Sequence, residues 1–423
     1  VGQDFQHAVG DHALAVAAVG GAPREGQQQM ADAVAEAMET GEHLVVQAGT
    51  GTGKSLAYLV PAVARAVSEG VPVVVSTATL ALQAQIVDRE LPRLADAVAG
   101  RLGRRPTWQL VKGRRNYLCV HKLAGGFPEE EDTLFALPGS GADEPPAAKG
   151  GDPGTVSRLG REIVRLRAWA EETDTGDRDG LVPGVSERAW RQVSVSAREC
   201  LGRQRCPMAE ECHCELARDR AREVDIVVTN HSFVAIDAFE GWNMLPEHEV
   251  LVVDEAHELA DRVTAVVSDE LTAGSVAAAA RRARRVAGVD TTRLDEAADG
   301  LELTLAELRE GRMPRGLPEA PALAVATVRD AARELLTELK VDPGSGPPDG
   351  TRQLASAAVG EILDVAERLV DGAGDENGPD VVWAARHRRI DGAEWMALHV
   401  APLGVAGRLR DRLFGERTVV MTS

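Results

Sequence analysis

The sequence predicts an α/β fold in which a parallel sheet carries two long insertions. Three observations lead there. Short β-branched runs recur along the chain, each followed by something small or polar, as in strands buried on both faces of a parallel sheet. Helical patterns separate several of these runs. Two long segments of different character interrupt the series.

The first run, "HLVVQ" (His43–Gln47), follows the helical pattern "QQQMADAVAEAM" and leads into a glycine-rich turn. Beyond the turn, "SLAYLVPAVARAV" reads as a helix kinked or interrupted at Pro61, whose ring and missing N–H oppose a continuous helix. "PVVVST" (Pro72–Thr77), "DIVVTN" (Asp225–Asn230), "EVLVVDE" (Glu249–Glu255) and "RTVVMTS" (Arg417–Ser423) complete the strand series. The first insertion runs from Leu110 to about Arg222 and holds every cysteine. Inside it, Gly126–Thr155 lacks the apolar residues to fold and is expected to be mobile. The second insertion, from about Val263 to Trp395, reads as helical. Leu354, Ala358, Ile362, Val365 and Leu369 make one stripe, and Val328, Ala332, Leu335 and Leu339 another, with "VDPGSGPPDG" as a loop between them. The expected organisation is an α/β domain in three parts (1–109, 223–262 and 396–423), a cysteine domain at 110–222 and a helical domain at 263–395.

A chain of 423 residues is long enough for several cores. It contains no apolar run long enough to cross a membrane. The N-terminal stretch carries Asp4 and Asp11 and no basic leader, so no signal peptide is expected. The expected location is therefore the cytoplasm, where clustered cysteines more often hold a metal or a cluster than form disulfides. A net charge of −19 argues against indiscriminate binding to polyanions. Local basic patches remain at Arg101–Arg115, Arg281–Arg285 and Arg386–Arg389, each of which alone reads as a solvated helix face.

The turn "LVVQAGTGTGKS" has the composition of a phosphate cradle. Gly49, Gly51 and Gly53 let the backbone curl so that N–H groups face inward, and the following helix N-terminus adds donors and dipole. Lys54 then reaches the outer phosphates, and the Ser55 hydroxyl ligates Mg²⁺. The strict pattern has glycine where Ala48 stands, a small residue that keeps the turn possible. In "EVLVVDEAHELAD", Asp254 and Glu255 end a buried-looking strand, where α/β sheets place ligand chemistry. Asp254 suits the Mg²⁺ shell and Glu255 suits a general base for the attacking water. Two surface acids opening a helix would be the plain alternative. The pairing with "GTGKS" in the same chain points instead to an ATP hydrolase.

With these motifs the chain resembles the superfamily 2 helicases of the iron–sulfur branch, the DinG/XPD-like family, from Ala18 to Ser423. The resemblance implies a RecA-like P-loop NTPase domain with an inserted iron–sulfur domain and an inserted helical arch domain. "GGAPREGQQQM" looks like the Q motif, implying that Gln27 recognises adenine. "AGTGTGKS" looks like motif I, implying that Ala48, Gly49, Thr50, Gly51, Thr52, Gly53, Lys54 and Ser55 hold ATP and Mg²⁺. "STATLALQAQ" looks like motif Ia, in which Thr79 would touch the DNA backbone, and "VTNHSF" is a further landmark. "DEAH" looks like motif II, in which His257 would couple nucleotide to strand. "TVVMTS" resembles the run into motif III, whose Ser-Ala-Thr is cut after Ser423.

The implied activity is ATP-dependent unwinding of DNA, moving 5′ to 3′ along single-stranded or forked DNA in repair or replication. Because the sequence stops where motif III begins, the second RecA-like domain and its arginine finger are expected to lie outside it. The alternative expectation is therefore a fragment that binds DNA and nucleotide without unwinding.

In this family "VKGRRNYLC" opens the cluster domain, so the resemblance implies Cys119, Cys200, Cys206 and Cys212 as ligands of a [4Fe–4S] cluster. Zinc is the competing reading, in a zinc-stabilised DNA-binding module. Close Cys-x₂₋₄-Cys knuckles would favour it, whereas five residues separate Cys200, Cys206 and Cys212 from one another. Cys214 departs from the pattern, as an alternative to Cys212 or as a bystander. Lys112, Arg114 and Arg115 are expected to contact DNA phosphates, and Tyr117 to stack on a base.

Overall fold

The computed structural model describes residues 24–49, 53–127, 158–240, 244–340, 350–372, 380–388, 394–415 and 417–423. In chain order its strands are β1 (Leu44–Val46), β2 (Val73–Thr77), β3 (Trp108–Leu110), β4 (Ile226–Asn230), β5 (Val250–Asp254), β6 (Asp269–Leu271), β7 (Gly311–Arg312), β8 (Asp380–Arg388), β9 (Glu394–Pro402) and β10 (Thr418–Thr422). They form a six-stranded sheet in the order β1-β10-β5-β2-β4-β3 and a four-stranded sheet in the order β6-β9-β8-β7. The chain divides into two compact units, the described parts of 1–112, 216–268 and 401–423, and those of 113–215 and 269–400.

The first unit contains the six-stranded sheet, whose pairings are all parallel. Its strands alternate between two apolar layers, which is why their sequences read as continuous apolar runs. Val73, Val75, Val250 and Val252 join one core with helices Glu25–Thr40 and Lys54–Glu69. Val74, Leu251 and Val253 join the other with Phe233, Leu259 and Leu413. Helix Lys54–Glu69 runs through Pro61 without interruption. Pro61 is itself buried, and the apolar residues around it fix the helix against the sheet despite the lost hydrogen bond. Insertion of β10 between β1 and β5 places Thr422 and Ser423 beside the ends of both strands.

The second unit joins the cysteine segment and the helical segment in one compact body, where the sequence suggests two domains with boundaries near 110, 222, 263 and 395. Helices Ala273–Ala287, Thr292–Ala306, Glu319–Leu339 and Gly350–Gly372 share a core with one face of the four-stranded sheet. Val328, Ala332, Leu335 and Leu339 are buried in that core, and so are Ile362, Val365 and Leu369. The sheet corrects the expectation of a purely helical insertion, because β9 runs across the anticipated boundary at 395. Nearly all of the expected mobile stretch 126–155, and residues 341–349 of the expected loop, lie outside the described residues. No helix among the described residues is long and apolar enough to cross a membrane.

Candidate nucleotide site and cysteine site

At the carboxyl end of the parallel sheet, β1 leads into Ala48 and Gly49, and the chain is described again from Gly53. Thr50, Gly51 and Thr52 lie outside the described residues. Gly53 has φ +84°, a backbone conformation that favours glycine, and a Cβ there would displace the Gln27 amide that packs against it. Gln27, 5% exposed, donates a 2.9 Å hydrogen bond to the Gly53 carbonyl. Its placement thus ties the helix before β1 to the turn. Ser55 follows in the first turn of the helix that Lys54 opens.

Two strands away in the sheet, β5 ends at Asp254, and Glu255 adopts φ +53°, the sole positive φ outside glycine among the described residues. A non-glycine residue in that region costs conformational energy and tends to occur where function requires it. The turn aims Glu255 at Lys54, with Nζ to Oε1 at 3.1 Å. Asp254 is buried, and its Oδ1 accepts a 2.9 Å hydrogen bond from Thr422 on the adjacent strand. Burial raises the Asp254 carboxyl above its ordinary range, Thr422 opposes this, and the Glu255 charge adds to it.

Two neighbours of this centre, Tyr58 and Glu90, carry no local motif. The buried Tyr58 hydroxyl lies beside Ser55 and Asp254. Burial first, then the charges of Asp254 and Glu90, push its pKa up. Glu90 is itself raised by burial while accepting a 2.6 Å bond from Gln85. His257 is exposed, with Nδ1 3.0 Å from the Ser423 hydroxyl and 3.4 Å from Glu255. His231 of "VTNHSF" is buried, bonds Ser76 at 2.6 Å and is pushed down to about 4, mainly by burial. Thr79 is exposed and caps the helix after β2, its Oγ1 accepting from the Leu82 N–H at 3.3 Å.

In the second unit, Cys119, Cys200, Cys206 and Cys212 line one cavity, none joined in a disulfide. Backbone bonds assemble it: the Cys119 N–H donates to Val193 at 2.8 Å, and the Trp190 indole donates to the Arg115 carbonyl at 2.7 Å. The Cys119 sulfur accepts from the Lys122 N–H at 3.4 Å and the Cys200 sulfur from the Gly202 N–H at 3.3 Å. Burial pushes Cys119 up to about 12, and negative charge on Cys200, Cys212 or Cys206 would raise it further. Cys206 is raised in the same way, with the Met208 N–H opposing. Cys214 lies buried on helix His213–Ala221 and also borders the cavity.

Arg114 belongs to this cavity. Its guanidinium pairs with Glu215 and stands 3.9 Å from the Cys212 sulfur. Burial works against its charge, but Cys214, Cys200 and Glu215 more than offset that. Lys112 and Tyr117 are 2% and 4% exposed. As placed, Lys112, Arg114 and Tyr117 face the protein interior, which corrects the expectation that they meet a nucleic-acid strand: a buried ring cannot stack on a base. Arg115 is exposed and borders a groove with Lys122, Arg191, Arg281, Arg284 and Arg285. Glu199 on the groove wall is paired with Arg282 at 2.7 Å.

A parallel sheet whose strand ends bring a glycine-turn lysine to an Asp–Glu pair is a nucleotide-binding core of the P-loop class. The model of the DEAD/DEAH box helicase family matches residues 24–116. The chain is 48% identical over 414 residues to a protein named ATP-dependent helicase DinG from Mycobacterium tuberculosis, covering 97% of this chain and 60% of that one. It is 35% identical over 309 residues to one named ATP-dependent DNA helicase YoaA from Escherichia coli, covering 71% and 43%. A solved structure titled XPD_Helicase aligns over 95% of this chain and 58% of its own, with TM-score 0.45 and 14% identity. The chain is thus similar in sequence to proteins named DinG and YoaA helicases, and it spans about 60% of the length of the first of these relatives.

Proposed function

We propose that this chain is the ATP-hydrolysing portion of a DNA helicase. The observation that carries the reading is the meeting of Lys54 and Glu255 at 3.1 Å from motifs 201 residues apart, beside the buried Asp254. In this reading the N–H groups around Gly49 and Gly53, the first turn of the helix and Lys54 hold the phosphates of ATP. Lys54 exchanges its Glu255 partner for phosphate oxygens. Ser55 and Asp254 would hold Mg²⁺, which when bound would supply neutralising charge to the phosphates; a cation there also suits a carboxylate that burial otherwise disfavours. Glu255, freed from Lys54, takes the proton of the attacking water. That oxygen bonds the γ-phosphorus as the bond to the ADP oxygen breaks. His257, in reach of both Glu255 and Ser423, is suited to pass the state of the carboxylate to β10.

The cysteine cavity supports a [4Fe–4S] cluster held by Cys119, Cys200, Cys206 and Cys212. Sulfurs that accept backbone N–H bonds are what cluster thiolates require. Four sulfurs on one tetrahedral zinc would lie about 3.8 Å apart. Among the described residues the one compact group of metal-ligating atoms, within 4.8 Å of one another, contains no cysteine. The five residues that separate Cys200, Cys206 and Cys212 from one another, in place of close Cys-x₂₋₄-Cys knuckles, favour the cluster over zinc. Cys214, buried on its helix, suits the bystander role.

For the strand itself, Thr79 is suited to a backbone phosphate, and the arginine groove beginning at Arg115 supplies cations for others. Movement from 5′ to 3′ on single-stranded or forked DNA, a role in repair and a cytoplasmic location rest on the family resemblance. The test is ATP turnover by the protein at its full natural length, with and without single-stranded DNA, together with displacement of strands bearing 5′ or 3′ tails. DNA-stimulated turnover and a requirement for the 5′ tail are expected; turnover indifferent to DNA would contradict the reading.

A further inference from the structure

We propose that Glu270, His387 and His399 form a binding site for a divalent transition ion of the zinc type on the four-stranded sheet. The site shares no residue with either centre described above.

It is built by strand periodicity. On β8 and β9 the even-numbered Val382, Ala384, Met396, Leu398 and Val400 enter the helical core. Side chains of a strand alternate between faces, so Trp383, His387, Trp395 and His399 share the opposite face. Glu270 lies directly across from His399 in the β6–β9 register.

The geometry is that of a chelate. One ligand atom from each of the three residues falls within 4.8 Å of the others. The two imidazole Nε2 atoms are 3.2 Å apart. Nitrogens at zinc's usual bond length on a tetrahedral ion stand about 3.3 Å apart. Imidazole and carboxylate donors together suit zinc and its neighbours better than calcium or magnesium.

Both rings are held in place before any ion arrives. Trp383 stacks on His399 with centroids 5.0 Å apart and planes at 11°, and Trp395 stacks on His387 at 5.5 Å and 19°. His387 and His399 are half-buried, so an ion reaches them from solvent while the tryptophans limit their rotation. A shared proton between the rings would also account for two close nitrogens, with Glu270, whose Oε2 stands 3.9 Å from His399 Nδ1, as its counter-charge; metal uptake separates the two. An ion uses all three groups. It would also tie β6, at the start of the 269–400 segment, to β8 and β9 at its end.

The test uses the full-length protein with its thiol-bound group intact, titrated with zinc alone and, separately, with cobalt(II). Wild type is expected to take up one equivalent that is lost, or bound at least tenfold more weakly, in His387→Phe and His399→Phe, which keep an aromatic ring in each stack. Glu270→Gln, a surface change, should weaken uptake while circular dichroism stays unchanged. The cobalt spectrum of that equivalent should carry ligand-field bands without sulfur charge transfer. Equal uptake by wild type and by a folded variant overturns the proposal, and so does a thiolate spectrum for the extra equivalent.

Discussion

The Thr422 hydroxyl donates to the Asp254 carboxylate at 2.9 Å, so the acidic motif on β5 is held by the strand beside it, at the residue directly in register. Thr422→Val keeps the shape and removes the donor, leaving part of a buried carboxylate unsatisfied at a cost of about 1–3 kcal/mol. Asp254 already binds its proton more tightly folded than unfolded, because burial raises it. Its contribution to stability therefore declines as pH rises from the ordinary carboxyl range through its own raised value. Without Thr422 the value climbs further. Since Mg²⁺ needs the ionised form, ATP turnover in the variant should begin to fall at a higher pH than in wild type as the medium is acidified. Matching pH–rate profiles would count against the assignment.

Cys200→Ser, Cys206→Ser and Cys119→Ser should each lose iron and the visible absorbance of the cluster, while Cys214→Ser should keep both. Metal analysis of the purified variants checks this. If Cys212→Ser retains iron and Cys214→Ser loses it, the fourth ligand is Cys214, which borders the same cavity.

Arg281→Ala with Arg285→Ala removes two cations from the groove beginning at Arg115. Affinity for single-stranded DNA should fall by roughly tenfold at low salt, and the dependence of log K on log salt should flatten by about 0.7 for each phosphate no longer neutralised. Basal ATP turnover without DNA should not change. An unaltered salt slope would place the strand elsewhere.

The valine-rich strands were legible in the sequence because burial on both faces leaves continuous apolar runs, as in Val73–Val75 and Val250–Val253. The Gly53–Lys54 turn and the Asp254–Glu255 pair were legible because phosphate chemistry restricts residue type at fixed spacing. The Thr422–Asp254 bond was not, since it depends on β10 entering between β1 and β5, which no local pattern encodes. Strands β8 and β9 are not legible, because their alanines suit either period. Lys112 and Tyr117 misled by residue type: a basic residue and an aromatic beside a cysteine suggest a surface for nucleic acid, yet both fill the interior.

The most direct measurement compares ATP binding and ATP turnover in wild type, Lys54→Ala and Glu255→Gln at full natural length, with single-stranded DNA present. Glu255→Gln should bind MgATP about as well as wild type while turnover falls by about 10²–10⁴-fold, as loss of a general base requires. Lys54→Ala should lose both. Turnover by Glu255→Gln at the wild-type rate would contradict the account, because the two residues that meet at 3.1 Å would then not be the two halves of one hydrolytic site.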